Sequence, residues 1–219
     1  VSGREFARKR PGWVVWVPTL VLVALIAGAG VLAWLVSTGG VGRTEPPTVE
    51  EAVTADGYSR FSEQGAAYVR DSLQARVDLS KPSPDAVALG LPRDGTTTVE
   101  ADGFTVSVGL YVGEESIRVP AQSMTLTTKD GALVRLVLDV DGASYSDLSA
   151  RLVDLAERFA IDLGPLDAID SRVARAVRDE STDAFSFGPG AGFGRPATAL
   201  LSVAESGATT LALDIDFSS

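Results

Sequence analysis

Hydrophobic residues fall along this chain in three patterns: one unbroken run, several alternating runs and two runs at helical spacing. The unbroken run is Trp13 to Val36, 24 residues without a charge. At about 1.5 Å rise per residue it is roughly 36 Å long, enough to cross a hydrocarbon core of about 30 Å with some tilt. Pro18 lies in its first turns, where a missing N–H removes little helical bonding. All three tryptophans lie in the run, Trp13 and Trp16 at one end and Trp34 at the other. Indole settles at headgroup level, so the two sets mark two interfaces about 27 Å apart.

The pattern predicts a transmembrane helix over residues 13–37. Arg4, Arg8, Lys9 and Arg10 precede it against a single Glu5, so residues 1–12 are expected to stay in the cytoplasm and the rest to be translocated. The rival reading is a cleaved signal peptide, because Ala27-Gly28-Ala29 has the small-x-small form of a cleavage site. The apolar run continues for seven residues beyond it, which favours retention as an anchor. Ala24-x-x-x-Gly28 and Ala29-x-x-x-Ala33 are spacings that allow close helix approach, so the same segment is a candidate homodimer contact.

Residues 38–57, with Gly39, Gly40, Gly42 and Pro46-Pro47, read as a linker. A helix is predicted from about Ser59 to Val77, with Phe61, Tyr68, Val69, Leu73 and Val77 on one face. Strict alternation then takes over. A turn at Ala101-Asp102-Gly103 leads into Phe104, Val106, Val108, Leu110 and Val112. Met124 to Thr128 and Ala132 to Asp141 form a second pair of runs around Lys129-Asp130-Gly131. A loop made of Asp130-Gly131 alone would set Leu126 opposite Arg135, core against solvent. A three-residue loop pairs Leu126 with Val134 and Met124 with Leu136, and is the expectation.

Helical spacing returns at Leu148, Leu152, Leu155 and Phe159, opened by Ser144 and Asp147 in the positions of a capping box. A second helix is expected near Pro165, with Ile169, Val173 and Val177 inward. After a glycine-rich connection, Ala199 to Val203 and Leu211 to Phe217 alternate around Ser206-Gly207 as a closing hairpin. Strands, helices, then strands indicate an α+β domain over residues 58–219, a mostly antiparallel sheet packed against two or three helices.

Charge and composition narrow the chemistry. Residues 44–219 hold 28 acidic and 14 basic side chains, a net charge of −14, which disfavours nucleic acid and anionic headgroups. With no cysteine and no histidine, disulfides, Ser-His-Asp and Cys-His catalysis, and zinc sites built on those residues are excluded. Arginine outnumbers lysine 16 to 3 and the chain opens on Val1. Read as codon habit and a literal GTG start, this leads us to expect a GC-rich bacterium of the actinobacterial kind.

Four groups are candidates for a role. Asp139 with Asp141, and Asp214 with Asp216, each share a strand face; if they met, they could hold Ca²⁺ or act as acid and base in glycoside hydrolysis, but a solvated sheet face is the simpler explanation, and the repulsion of opposed like charges argues that the pairs lie apart. The stretch Phe185 to Arg195, rich in glycine, reads either as an ordinary connection whose phenylalanines fold back into the core or as a mobile loop offering Phe185, Phe187, Phe193 and Arg195 to a partner. It lacks the strand-before, helix-after context of a phosphate-binding loop. Arg172, Arg175 and Arg178 follow Asp167 and Asp170 on one helix, as the helix dipole favours; contact with an anionic wall polymer or headgroup is the alternative.

The sequence therefore leads us to expect a single-pass anchor whose external domain binds another envelope or membrane protein. No cofactor, metal or assigned catalytic residue is expected. The alternative is a carboxylate-dependent hydrolase of cell-wall polymer.

Overall fold

The computed structural model describes residues 49–218, with the side chains from Glu51 onward. The expected span over 13–37, the basic tip and the first part of the linker lie outside the described residues. No helix among the described residues is long and apolar enough to cross a membrane. The compact unit to which they belong begins at Pro47. Its first element is a helical turn, Val49–Ala52, with Ala52 fully buried.

Among the described residues the fold is α+β: one open eight-stranded sheet and, besides that turn, three helices. The helices are α1 (Glu63–Ser72), α2 (Tyr145–Phe159) and α3 (Leu166–Arg178). In chain order the strands are β1 (Gln74–Asp78), β2 (Gly95–Glu100), β3 (Val106–Val112), β4 (Glu115–Lys129), β5 (Ala132–Val140), β6 (Asp183–Phe193), β7 (Arg195–Val203) and β8 (Thr209–Asp216). Across the sheet the order is β1-β3-β4-β5-β8-β7-β6. The 15-residue β4 is long enough to pair β3 along its first half and β2 along its second. Among the described strands only β1 and β3 pair in parallel.

Period-2 patterning makes the sheet two-faced. Along β7, Arg195, Ala197, Ala199, Leu201 and Val203 are buried while Pro196, Thr198, Leu200 and Ser202 are half-buried. Leu136 and Leu138 of β5 and Leu211, Leu213 and Ile215 of β8 join them on the inner face. Burying each large aliphatic side chain there contributes about 1.5–3 kcal/mol. Helix α2 covers β6 to β8 with Leu148, Leu152, Leu155 and Phe159, and the Ser144 hydroxyl accepts the Asp147 N–H at 3.2 Å as the sequence leads one to expect. Over the other half of the sheet lie α1 and the segment carrying Leu79, Ala86, Leu89 and Leu91.

Several expectations are corrected. The helix expected to reach Val77 ends at Ser72, because Leu73 adopts the left-handed region (φ 53°) and Ala75, Val77 and Leu79 alternate inward as strand. The expected three-residue loop is a two-residue one: Lys129 pairs with Ala132, and Asp130 (φ 53°) and Gly131 (φ 83°) make the turn. A bulge restores the apolar register, since Thr128 pairs with Leu133 and Thr127 with Arg135, leaving Val134 as the extra residue. Leu126 then faces Leu136. In α3, Ala176 rather than Val177 turns inward, and Val177 is exposed. Phe104 precedes β3 and is 64% exposed. The glycine-rich connection is strand β6, an edge of the sheet.

Candidate functional site

The glycines of β6 serve a close approach. A Cβ on Gly190 would lie 2.3 Å from the Phe159 carbonyl oxygen, and one on Gly192 2.9 Å from the Ala160 nitrogen. The strand therefore runs directly against the backbone at the end of α2, which only glycine allows. Phe193 packs edge-on to Phe159 at 5.8 Å, and Phe185 lies under the Arg172 guanidinium at 4.2 Å. Phe185 and Phe193 are buried and Phe187 is half-buried, so the rings of this stretch turn into the core instead of projecting from a loop.

Arg195 goes further inward still, at 1% exposure. Its Nε donates to the Leu79 carbonyl at 2.9 Å, Nη2 to Ser80 at 2.6 Å and Nη1 to Phe217 at 3.3 Å, and the guanidinium lies 5.0 Å from the centre of the Phe217 ring. It ties the segment after β1 to the end of β8. Burial lowers its pKa, opposed by Asp78 and Asp216. Of the α3 arginines, Arg172 pairs with Asp183 at 2.8 Å, and Arg175 and Arg178 lie in the last turn, where the helix dipole favours cations.

The four aspartates lie on the open face of adjacent strands and do not converge. Asp214 is clamped by Arg135 through two bonds of 2.8 and 2.7 Å. Asp216 accepts from the Ser218 N–H and hydroxyl, which lower its pKa. Asp139 and Asp141 share a separate cleft of about 380 Å³, with Phe104, Thr105 and Gln122 in its wall.

The bulge in β4 builds this cleft. Ala121 pairs with Val140 and Ser123 with Asp139, so Gln122 is the extra residue and reaches Asp141. Its Nε2 donates to Asp141 Oδ1 at 2.9 Å and the Thr105 hydroxyl donates to Oδ2 at 2.7 Å. These bonds hold the Asp141 carboxyl below its usual range. Asp139 is pushed the other way, by burial and then by the Asp141 charge. One carboxylate is thus stabilised in its charged form and its neighbour disfavoured. Such a pair can hold and give up a proton, or take hydrogen bonds from a polyhydroxyl ligand beside Phe104.

A larger cleft of about 640 Å³ lies between the start of α2, α3 and the β7–β8 turn. In it the Tyr145 hydroxyl donates to Asp170 at 2.5 Å. Burial and then Asp170 push the Tyr145 pKa up to about 12, so the phenol stays protonated and links the two helices. Among the described residues no group of three or more acidic side chains is placed to hold a metal ion.

Sequence reasoning located the Asp139–Asp141 pair but missed Phe104, Thr105 and Gln122 as its companions. The bulge that brings Gln122 in has no local signature. Compared with known proteins, the chain matches no family model, no curated protein and no solved structure.

Proposed function

We propose that this protein is a membrane-anchored component of a bacterial cell envelope that acts by binding another envelope or membrane protein. In this reading residues 13–37 cross the bilayer and the acidic α+β domain stands outside. The observation that carries the binding part is the open face of the sheet. Every fully buried side chain of the strands lies on the other face, and this one carries Thr96, Thr98, Thr125 and Thr127 in facing pairs, with Asp139 and Asp214 farther across. The Thr98 and Thr125 hydroxyls are 3.1 Å apart and those of Thr96 and Thr127 3.4 Å. A broad, rigid polar surface of this kind suits a protein partner better than a small substrate. It replaces the Phe185–Arg195 stretch as the surface the reading uses.

A photo-reactive residue at Thr98, on the open face, tests this in whole cells against one at Glu157, on the exposed side of α2. A discrete adduct from Thr98 and none from Glu157 is expected. No adduct at Thr98, or the same adduct from both, contradicts the reading.

A second reading, a carboxylate-dependent hydrolase of wall polymer, is favoured by one observation: Asp139 and Asp141 share a cleft with their ionisation pushed apart. Release of soluble fragments from purified wall by the full chain, lost in Asp139→Asn, would establish it over the binder.

A further inference from the structure

On the open face at the β1 edge the register sets two arginines on either side of a glycine. Arg76 of β1 pairs with Gly109 of β3, and Gly109 pairs with Arg118 of β4. At about 4.8 Å between strands the two arginine Cα atoms are roughly 10 Å apart, and the residue between them carries no side chain of its own. Tyr111, two residues along β3, leans back over the gap: a Cβ on Gly109 would lie 2.8 Å from its ring and 3.1 Å from its hydroxyl. The Arg76 guanidinium lies 4.9 Å from the centre of that ring, and its Nε donates to the Tyr111 hydroxyl at 3.2 Å. The hydroxyl oxygen is thereby engaged and its proton is left to donate.

These groups wall a polar hollow of about 560 Å³, with Ser107 and Gln74 on the next row. The ion pairs among the described residues are Arg135–Asp214, Arg158–Asp154 and Arg172–Asp183, so neither Arg76 nor Arg118 is in an ion pair with a described acid. The acidic residue of the row beyond, Asp78, uses its carboxylate to accept the Ser80 N–H at 2.9 Å. In a domain whose residues 58–219 carry 24 acidic and 14 basic side chains, a net charge of −10, two guanidiniums outside any described ion pair and a phenolic donor line one hollow.

The geometry points to a binding site for a phosphoryl group, held between Arg76 and Arg118 with the Tyr111 hydroxyl as third donor. A carboxylate presents both oxygens to one side and is saturated by a single bidentate arginine. A tetrahedral phosphoryl group offers oxygens to several sides at once and can accept from guanidiniums carried on two different strands. The group can arrive on a soluble phosphate ester or on a lipid headgroup.

The test uses the full chain in nonionic detergent, with the arginine Nε–H and Gly109 amide resonances followed by NMR during titration with inorganic phosphate. Saturable shifts of Arg76, Arg118 and Gly109 are expected, absent with chloride at equal ionic strength. Arg118→Gln and Arg76→Gln should each weaken binding about tenfold, as loss of one charge-assisted contact does, and Arg175→Gln should leave it unchanged. Arg118 is exposed, so its variant keeps the fold against which the loss is read. Reconstitution in phosphatidylcholine discs with and without phosphatidylglycerol separates the sources: shifts with phosphatidylglycerol alone assign a headgroup, and shifts only with added phosphate assign a soluble ester. No saturable shift in either arm, or shifts indifferent to Arg118→Gln, would overturn the assignment.

Discussion

Glycine and arginine occur on both faces of this sheet and do opposite things there. On the inner face the space left by Gly190 is filled by the backbone of α2, and Arg195 spends its donors on three carbonyls of the same chain. On the open face the space left by Gly109 is taken by the ring of Tyr111, a side chain and not backbone, and Arg118 beside it is in no ion pair with a described acid. The side chain alone does not say which use it will have; the face does. A buried guanidinium is held by the fold, whereas an exposed one beside a cavity is available to something else.

The sharpest way to break the contrast is at Arg195. Arg195→Ala leaves the Leu79, Ser80 and Phe217 carbonyls without their charged donor and is expected to cost about 3 kcal/mol or more, read by chemical denaturation. Gly190→Ala comes next at about 2–3 kcal/mol, because the obstacle is backbone, which cannot rotate away. Gly109→Ala should cost less, about 1 kcal/mol, since only the Tyr111 side chain must move. Arg118→Gln should change stability by less than about 0.5 kcal/mol, so that its effect appears in ligand binding alone.

Asp139→Asn sharpens the open-face side through pH. The folded-state pKa of Asp139 is raised, so the fold favours its protonated form; that contribution is present below the unfolded pKa and is lost as pH rises through the folded one. The variant should therefore melt higher than wild type at neutral pH, with the gap closing below the ordinary aspartate range. Asp141, held low by Thr105 and Gln122, works the other way, and Asp141→Asn should melt lower at neutral pH.

What could be read from the sequence follows how local each cause is. Helix α2 was legible because its cap and its apolar spacing lie within one segment, and the β7–β8 hairpin because alternation flanks a Ser206-Gly207 turn. The helix expected to reach Val77 failed because Phe61, Val69 and Val77 fit a helical face, while its true stop is a left-handed leucine with no sequence signal. The β4–β5 hairpin failed in an instructive way: the clash of Leu126 with Arg135 was real, but a bulge at Val134 relieves it and not a longer loop. The glycines of β6 and the burial of Arg195 depend on α2 and on the segment after β1, far away in the chain. The candidate sites divide in the same manner. Asp139 and Asp141 were visible as neighbours, whereas Arg76, Gly109 and Arg118 meet only because β1 pairs in parallel with β3.

The proposed anchoring puts the acidic domain outside the cell, and limited proteolysis of intact cells measures that directly. If it holds, protease added outside should digest residues beyond the proposed span and spare the arginine-rich tip. A domain protected until the cells are lysed would contradict the anchoring, the external partner and the wall-polymer alternative together.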